Sequence, residues 1–225
     1  MTKVKICGIR TKEDCLIMNT FKPDFVGVVF ADSRHKVNER QACIIRNTLN
    51  INIPIVGVFV DDDINKIVSL YDAGIIQYIQ LHGDENDEYI KLLKNKLCLT
   101  ANDITDEKAD EIIIKAFRIK DTNSIENIYY CEEDKVLIDA FDDNLKGGSG
   151  KRIKDEYLSS IFNVDKKIII AGGINKDNVK EIIEKYNPYA IDISTSLEED
   201  NHKDYDKVKE FFDIYKEIRN EKVLF

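Results

Sequence analysis

Short apolar runs rich in Val and Ile alternate along this chain with longer stretches in which apolar residues recur every three to four positions. The runs are VKICGI (4–9), FVGVVF (25–30), IPIVGVFV (53–60), IIQYIQLHG (75–83), EIIIKAFRI (111–119), KVLIDAF (135–141), KIIIAGGI (167–174) and YAIDIST (189–195). Most are apolar at nearly every position, as strands are when both faces are covered, and that pattern marks a parallel sheet wrapped by helices. Helices are predicted over 12–20, 39–49, 64–73, 87–95, 178–186 and 205–219. Thr11 and the Asp61–Asp63 triplet stand at helix starts, where short polar side chains satisfy free amides. Residues 91–110 are longer than one helix and turn require and predict an extended helix or an extra short one before the fifth strand. Residues 120–134 carry a weak helical pattern. Eight strands alternating with helices over 225 residues favour a single closed (β/α)8 barrel, the TIM barrel, spanning 1–225 as one domain, over an open sheet with five or six strands.

Composition narrows the surroundings and leaves the fold unchanged. The chain is 43% hydrophobic and 33% charged, and no run approaches the ~20 apolar residues of a membrane span. The amino terminus enters a strand-like segment with no signal-peptide core, so a cytoplasmic location is expected. Five cysteines without a C-x-x-C pair or a Cys/His cluster read as reduced thiols, not as a disulfide or zinc framework. A net charge of −9 argues against nucleic acid or an anionic membrane as partner, while an anionic small ligand held by backbone amides stays compatible.

In such a barrel the chemistry lies where strands end and the following loops begin. The first strand delivers Cys7, the fourth Gln80 and His82, the sixth Asp139, and the eighth Asp192 followed by Ser194, Thr195 and Ser196. Glycines cluster in the late loops, Gly147, Gly148 and Gly150 after strand six and Gly172 and Gly173 after strand seven. Glycine lets amides approach an anion, and barrels bind phosphate near strands seven and eight, so a phosphorylated small molecule is the expected ligand. A thiol of lowered pKa can accept a proton, and Cys7 with Asp139 makes a pair suited to moving protons on a carbonyl-type substrate without metal or cofactor. Cys15, Cys43, Cys98 and Cys131 read as small hydrophobes. His82 reads as structural, and Lys5 and Lys115 as strand lysines directed into the barrel, in packing or in support of substrate charge.

The ordered set KICGIR, GVVF, VGVFV, IQLHGDE, IIKAF, VLIDA with GGSGKR, IAGGINKDNV and AIDIST-x-LE resembles the phosphoribosylanthranilate isomerase family over essentially the whole chain. The resemblance implies a cofactor-independent Amadori rearrangement of N-(5-phosphoribosyl)anthranilate to 1-(o-carboxyphenylamino)-1-deoxyribulose 5-phosphate in tryptophan biosynthesis. It implies Asp139 as the general acid that opens the sugar ring and Cys7 as the base that takes the C2 proton. It also implies phosphate binding by Gly148, Gly150, Gly172, Gly173, Ser194, Thr195 and Ser196. Two departures stand out. Ser196 occupies the place of a family glycine, and His35, between Arg34 and Lys36, falls in the register of a family arginine that reaches the anthranilate; Arg34, Lys36 or His35 itself stands in for it, and Arg34 and His35 are taken as the candidate substrate-binding residues. Family members occur as monomers and homodimers. The same residues fit another sugar-phosphate isomerase or epimerase, or a catalytically silent phosphate-binding partner subunit, although retention of Cys7 and Asp139 favours an active enzyme.

Overall fold

The computed structural model describes residues 1–100, 105–119, 122–139 and 159–223. Eight parallel strands close in sequence order: β1 (Lys3–Cys7), β2 (Phe25–Val29), β3 (Ile55–Phe59), β4 (Tyr78–Leu81), β5 (Ile113–Arg118), β6 (Lys135–Asp139), β7 (Lys167–Ala171) and β8 (Ala190–Ile193). Closure is made by β1 against β8, with Lys5 opposite Asp192. Each expected run became a strand because its two faces meet different apolar layers. Outward residues such as Val4, Ile6, Ile79, Leu81, Val136, Ile138, Ile191 and Ile193 join the core beneath the helices, while Phe25, Val56, Ile114, Ala116, Leu137, Ile169, Ala171 and Ala190 fill the barrel. Burying each large aliphatic or aromatic side chain contributes roughly 1.5–3 kcal/mol before the entropy cost of ordering.

The helices among the described residues include α1 (Lys12–Phe21), α2 (Glu39–Thr48), α3 (Ile64–Asp72), α4 (Asp87–Thr100), α5 (Asp106–Ile112), α6 (Thr122–Tyr130), α7 (Val179–Tyr186) and α8 (Tyr205–Val223). Thr11 caps α1 in a reciprocal capping box with Asp14, and Asp63 caps α3. The long connection resolves into a lengthened α4 and a separate short α5, and the weak pattern after β5 into α6. After β8, a single 3-10 turn (Thr195–Leu197) leads into a hairpin of β9 (Glu198–Glu199) and β10 (His202–Lys203). Asp14 ties that hairpin to α1 by accepting the Lys203 amide at 3.0 Å. No helix of the described residues is long and apolar enough to cross a membrane.

Candidate active site

Period-2 alternation sends Lys5 and Cys7 inward from β1, since their neighbours Val4 and Ile6 belong to the outer core. Lys5 is completely buried, and its Nζ lies 2.7 Å from Asp192 Oδ2 on the adjoining β8. Burial works against the ammonium, but Asp192, helped by Cys7, outweighs it and holds Lys5 above the ordinary lysine range. Gly27 of β2 supplies the room: a Cβ there would fall 2.6 Å from Cys7 Sγ and 3.0 Å from Lys5 Nζ. Burial pushes the Cys7 thiol up, with Lys5 and, more weakly, Lys203 pulling the other way and Asp192 adding to the rise. Cys7 is therefore held as a thiol, beside a fixed ammonium that favours its thiolate when one forms. No disulfide involves any of the five cysteines. Cys15 is buried beneath α2, as its reading as a small hydrophobe requires.

Asp139 ends β6 on the same inward face as Leu137, at the same end of the barrel as Cys7. His82, one residue beyond β4, brings its Nε2 to 3.7 Å from Asp139 Oδ2, while Gln80 Nε2 donates to His82 Nδ1 at 2.8 Å. His82 is hydrogen bonded at the mouth end of β4, as its structural reading expects, and its contact with Asp139 joins residues 57 positions apart. A cavity of about 390 Å³ borders His82 on the side of β3, β4 and β5, with Ala116, Phe117 and Arg118 along its wall. Lys115 does not enter the barrel. It alternates with inward Ile114 and Ala116, and its Nζ meets Glu85 at 2.7 Å and the Gly83 carbonyl at 3.0 Å.

His35 and Arg34 lie on the loop after β2. His35 packs its ring against Gly8, which adopts a positive φ, and its Nε2 faces both oxygens of Glu198, at 3.0 and 3.2 Å. Burial lowers the His35 pKa, with Lys203 and Arg34 adding to the fall and Glu198 opposing it. A neutral imidazole whose N–H is taken by Glu198 has no donor left for a ligand carboxylate. Glu198 in turn accepts from Lys203 Nζ at 2.6 Å; burial raises its pKa, but Lys203 and His35 outweigh that and hold the carboxyl below the usual range. Arg34 is exposed, 3.5 Å from Glu198 and 3.2 Å from Asn201 Oδ1. Neither Glu198 nor Lys203 was singled out from the sequence as a site residue, because nothing local links them to residue 35.

Gly172 and Gly173, after β7, both take positive φ, an angle that a side chain would strain. Among the described residues, the amides of Gly172, Gly173, Thr195 and Ser196 have no acceptor. Ser196 has no positive φ, so nothing in the backbone demands a glycine there, and its hydroxyl donates to the Ile174 carbonyl at 2.6 Å, binding the two loops together. Ser194 Oγ donates to the Cys7 carbonyl at 3.0 Å. Gly148 and Gly150 lie outside the described residues. Among the described residues no group of three or more His, Cys, Asp and Glu side chains is arranged to hold a metal ion.

A closed (β/α)8 barrel carrying an inward thiol, an inward carboxyl and two loops with unclaimed amides at one mouth has the layout of a barrel enzyme acting on a phosphorylated small molecule. Comparison with known proteins narrows that class. A family model described as N-(5'phosphoribosyl)anthranilate (PRA) isomerase matches residues 4–214. The N-(5'-phosphoribosyl)anthranilate isomerase of Clostridium acetobutylicum is 40% identical over 214 residues, covering 94% of this chain and 96% of the relative. The crystal structure of phosphoribosyl anthranilate isomerase from Thermotoga maritima superposes with a TM-score of 0.78 at 29% identity, covering 96% of this chain and 100% of the other. A phosphoribosyl anthranilate isomerase in complex with reduced 1-(o-carboxyphenylamino)-1-deoxyribulose 5-phosphate gives a TM-score of 0.74 at 29% identity, with the same coverage. The chain belongs to the phosphoribosylanthranilate isomerase family.

Proposed function

We propose that this barrel, acting as one domain in the cytoplasm, converts N-(5'-phosphoribosyl)anthranilate into 1-(o-carboxyphenylamino)-1-deoxyribulose 5-phosphate with Asp139 as acid and Cys7 as base. Asp139 gives its proton to the furanose ring oxygen. The C1–O bond breaks toward that oxygen as the anthranilate nitrogen lone pair forms C=N, leaving an open-chain iminium. Cys7 then takes the C2 proton; the C–H electron pair becomes the C1=C2 bond and the C=N pair returns to nitrogen. The resulting enolamine becomes the ketone by losing its hydroxyl proton and gaining one at C1. Oxidation at C2 balances reduction at C1, so no redox partner is needed.

The observation that carries this reading is the Lys5 ammonium fixed against Cys7 by Asp192. The iminium, one bond from the acidic C–H, adds a second positive charge when the thiol must ionise. Each positioned proton transfer supplies roughly 10²–10⁴-fold in rate.

Phosphate binding is assigned to the amides of Gly172, Gly173, Ser194, Thr195 and Ser196, with Gly148 and Gly150 from the preceding loop. Arg34 is the substrate-binding residue for the aromatic carboxylate, and His35 supports it by engaging Glu198, which otherwise competes for the guanidinium. The test is direct: purified protein in chelator, without added cofactor, is expected to consume phosphoribosylanthranilate, seen as loss of its anthranilate fluorescence. Fluorescence that persists at the rate of a protein-free control overturns the assignment.

A further inference from the structure

Proton transfer by Cys7 and Asp139 gives Gln80 nothing to do, yet Gln80 is a buried polar residue inside the barrel, 1% exposed. Its amide Nε2 donates to His82 Nδ1 at 2.8 Å, and its buried Oε1 has no partner among the described residues. Burying an amide with half its capacity unmet is costly, and a fold retains such a group where it orients something. Gln80 and His82 are two residues apart, so the amide lies beneath the ring, which opens toward the mouth. Across the ring, Nε2 lies 3.7 Å from Asp139 Oδ2. The intervening strand β5 presents Ala116 inward, too small to separate them.

An N–H pointing at Nδ1 requires a lone pair there, which puts the ring proton on Nε2, the nitrogen that faces Asp139. The geometry points to Gln80 and His82 as positioning residues for Asp139: the amide fixes the imidazole with its Nε2–H aimed at the carboxyl. When that proton passes to the sugar oxygen, the carboxylate left behind accepts from Nε2–H, and the 3.7 Å gap shortens as charge develops. His82 loses no proton at any stage. Other charged groups share the cavity with the ring: Asp61 after β3, Asp84 and Glu85 after β4, and Lys115 and Arg118 on β5. Glu85 is neutralised by Lys115, and Asp61 accepts the Asp84 amide, so the ring's direct polar partners among the described residues are Gln80 and Asp139.

This inference rests on Asp139 being the acid, and the variants are chosen to separate the two. Turnover of phosphoribosylanthranilate is measured as kcat and KM for wild type, His82→Leu, His82→Gln, Gln80→Met and Asp139→Asn. Without the Nε2 donor the carboxylate that forms on Asp139 loses its partner, so in His82→Leu kcat falls at least about tenfold, with KM nearly unchanged. His82→Gln returns an N–H near the Nε2 position and recovers part of the rate. Gln80→Met leaves the ring free to turn from Asp139, and kcat falls with KM nearly unchanged. A merely structural role for His82 predicts that the well-packing leucine does at least as well as glutamine. His82→Leu with wild-type kcat, or His82→Gln no better than His82→Leu, overturns the pairing; Gln80→Met with wild-type kcat overturns the part given to the amide. If Asp139→Asn keeps full turnover, the acid assignment itself has failed; if it is inactive while His82→Leu is normal, only the positioning has.

Discussion

Lys5 Nζ meets Asp192 Oδ2 at 2.7 Å across the seam where the first and last strands close the barrel. The contact both holds the closure and places a fixed positive charge beside the Cys7 sulfur. A lone buried ammonium is expensive, and a lone buried carboxylate equally so; together they form a permanent electrostatic feature at the floor of the site.

Replacing Lys5 by Met removes the charge that partly offsets burial at Cys7, so the thiol rises further. The acid limb of the rate profile, where activity grows as Cys7 ionises, moves to higher pH, and the rate at pH 7 falls at least about tenfold. Alkylation of Cys7 by iodoacetamide, followed by peptide mass spectrometry across a pH series, reports the same shift. Asp192 is left unpaired, at a cost of about 3–5 kcal/mol in stability. Lys5→Met/Asp192→Leu is expected to regain Tm without regaining activity.

Gly27→Ala puts a methyl 2.6 Å from Cys7 Sγ and 3.0 Å from Lys5 Nζ, closer than either can stay. The expected result is a folded barrel with kcat reduced about tenfold or more, because a misplacement of the base by a fraction of an ångström is enough. Steady-state kinetics with a thermal melt distinguishes this from general unfolding; full activity in Gly27→Ala would show that the thiol need not stay where it is.

Glu198→Ala strands the fully buried Lys203 side chain and frees His35. Removing one partner of a buried pair costs about 3–5 kcal/mol, and Tm drops accordingly. The carboxyl's folded pKa is depressed, so its contribution is present above the ordinary glutamate range and is lost as pH falls through the depressed value. Wild type should therefore lose stability in acid more steeply than Glu198→Ala, measured as Tm against pH.

Arg34→Ala is expected to raise KM for phosphoribosylanthranilate several-fold with kcat little changed, since an exposed guanidinium contributes binding common to ground and transition states. Identical KM values would remove this loop from the substrate site.

Much of the barrel was legible because its determinants are short-range. The eight apolar runs each read as a strand without reference to any other, and Thr11 and Asp63 signal helix starts within three residues. Lys5 was also read as directed into the barrel, where it lies beside Cys7. What alternation could not supply is the partner: Asp192 is 187 residues away, and Glu198 is 163 from His35. Such pairs become visible only when the barrel closes β1 on β8. Lys115 was misplaced for a related reason. In a strand buried on both faces a lysine looks equally unusual whichever way it points, and the choice is made by Glu85, from the loop after a different strand. The resemblance to the family named Cys7 and Asp139 but was silent on what surrounds them.

In the proposed mechanism Cys7 takes the sugar C2 proton. The rate at which purified Cys7→Ala, with a Tm close to wild type, consumes phosphoribosylanthranilate by fluorescence decides whether it does. A fall of at least about 10²-fold is the result predicted; turnover near the wild-type rate would contradict the claim.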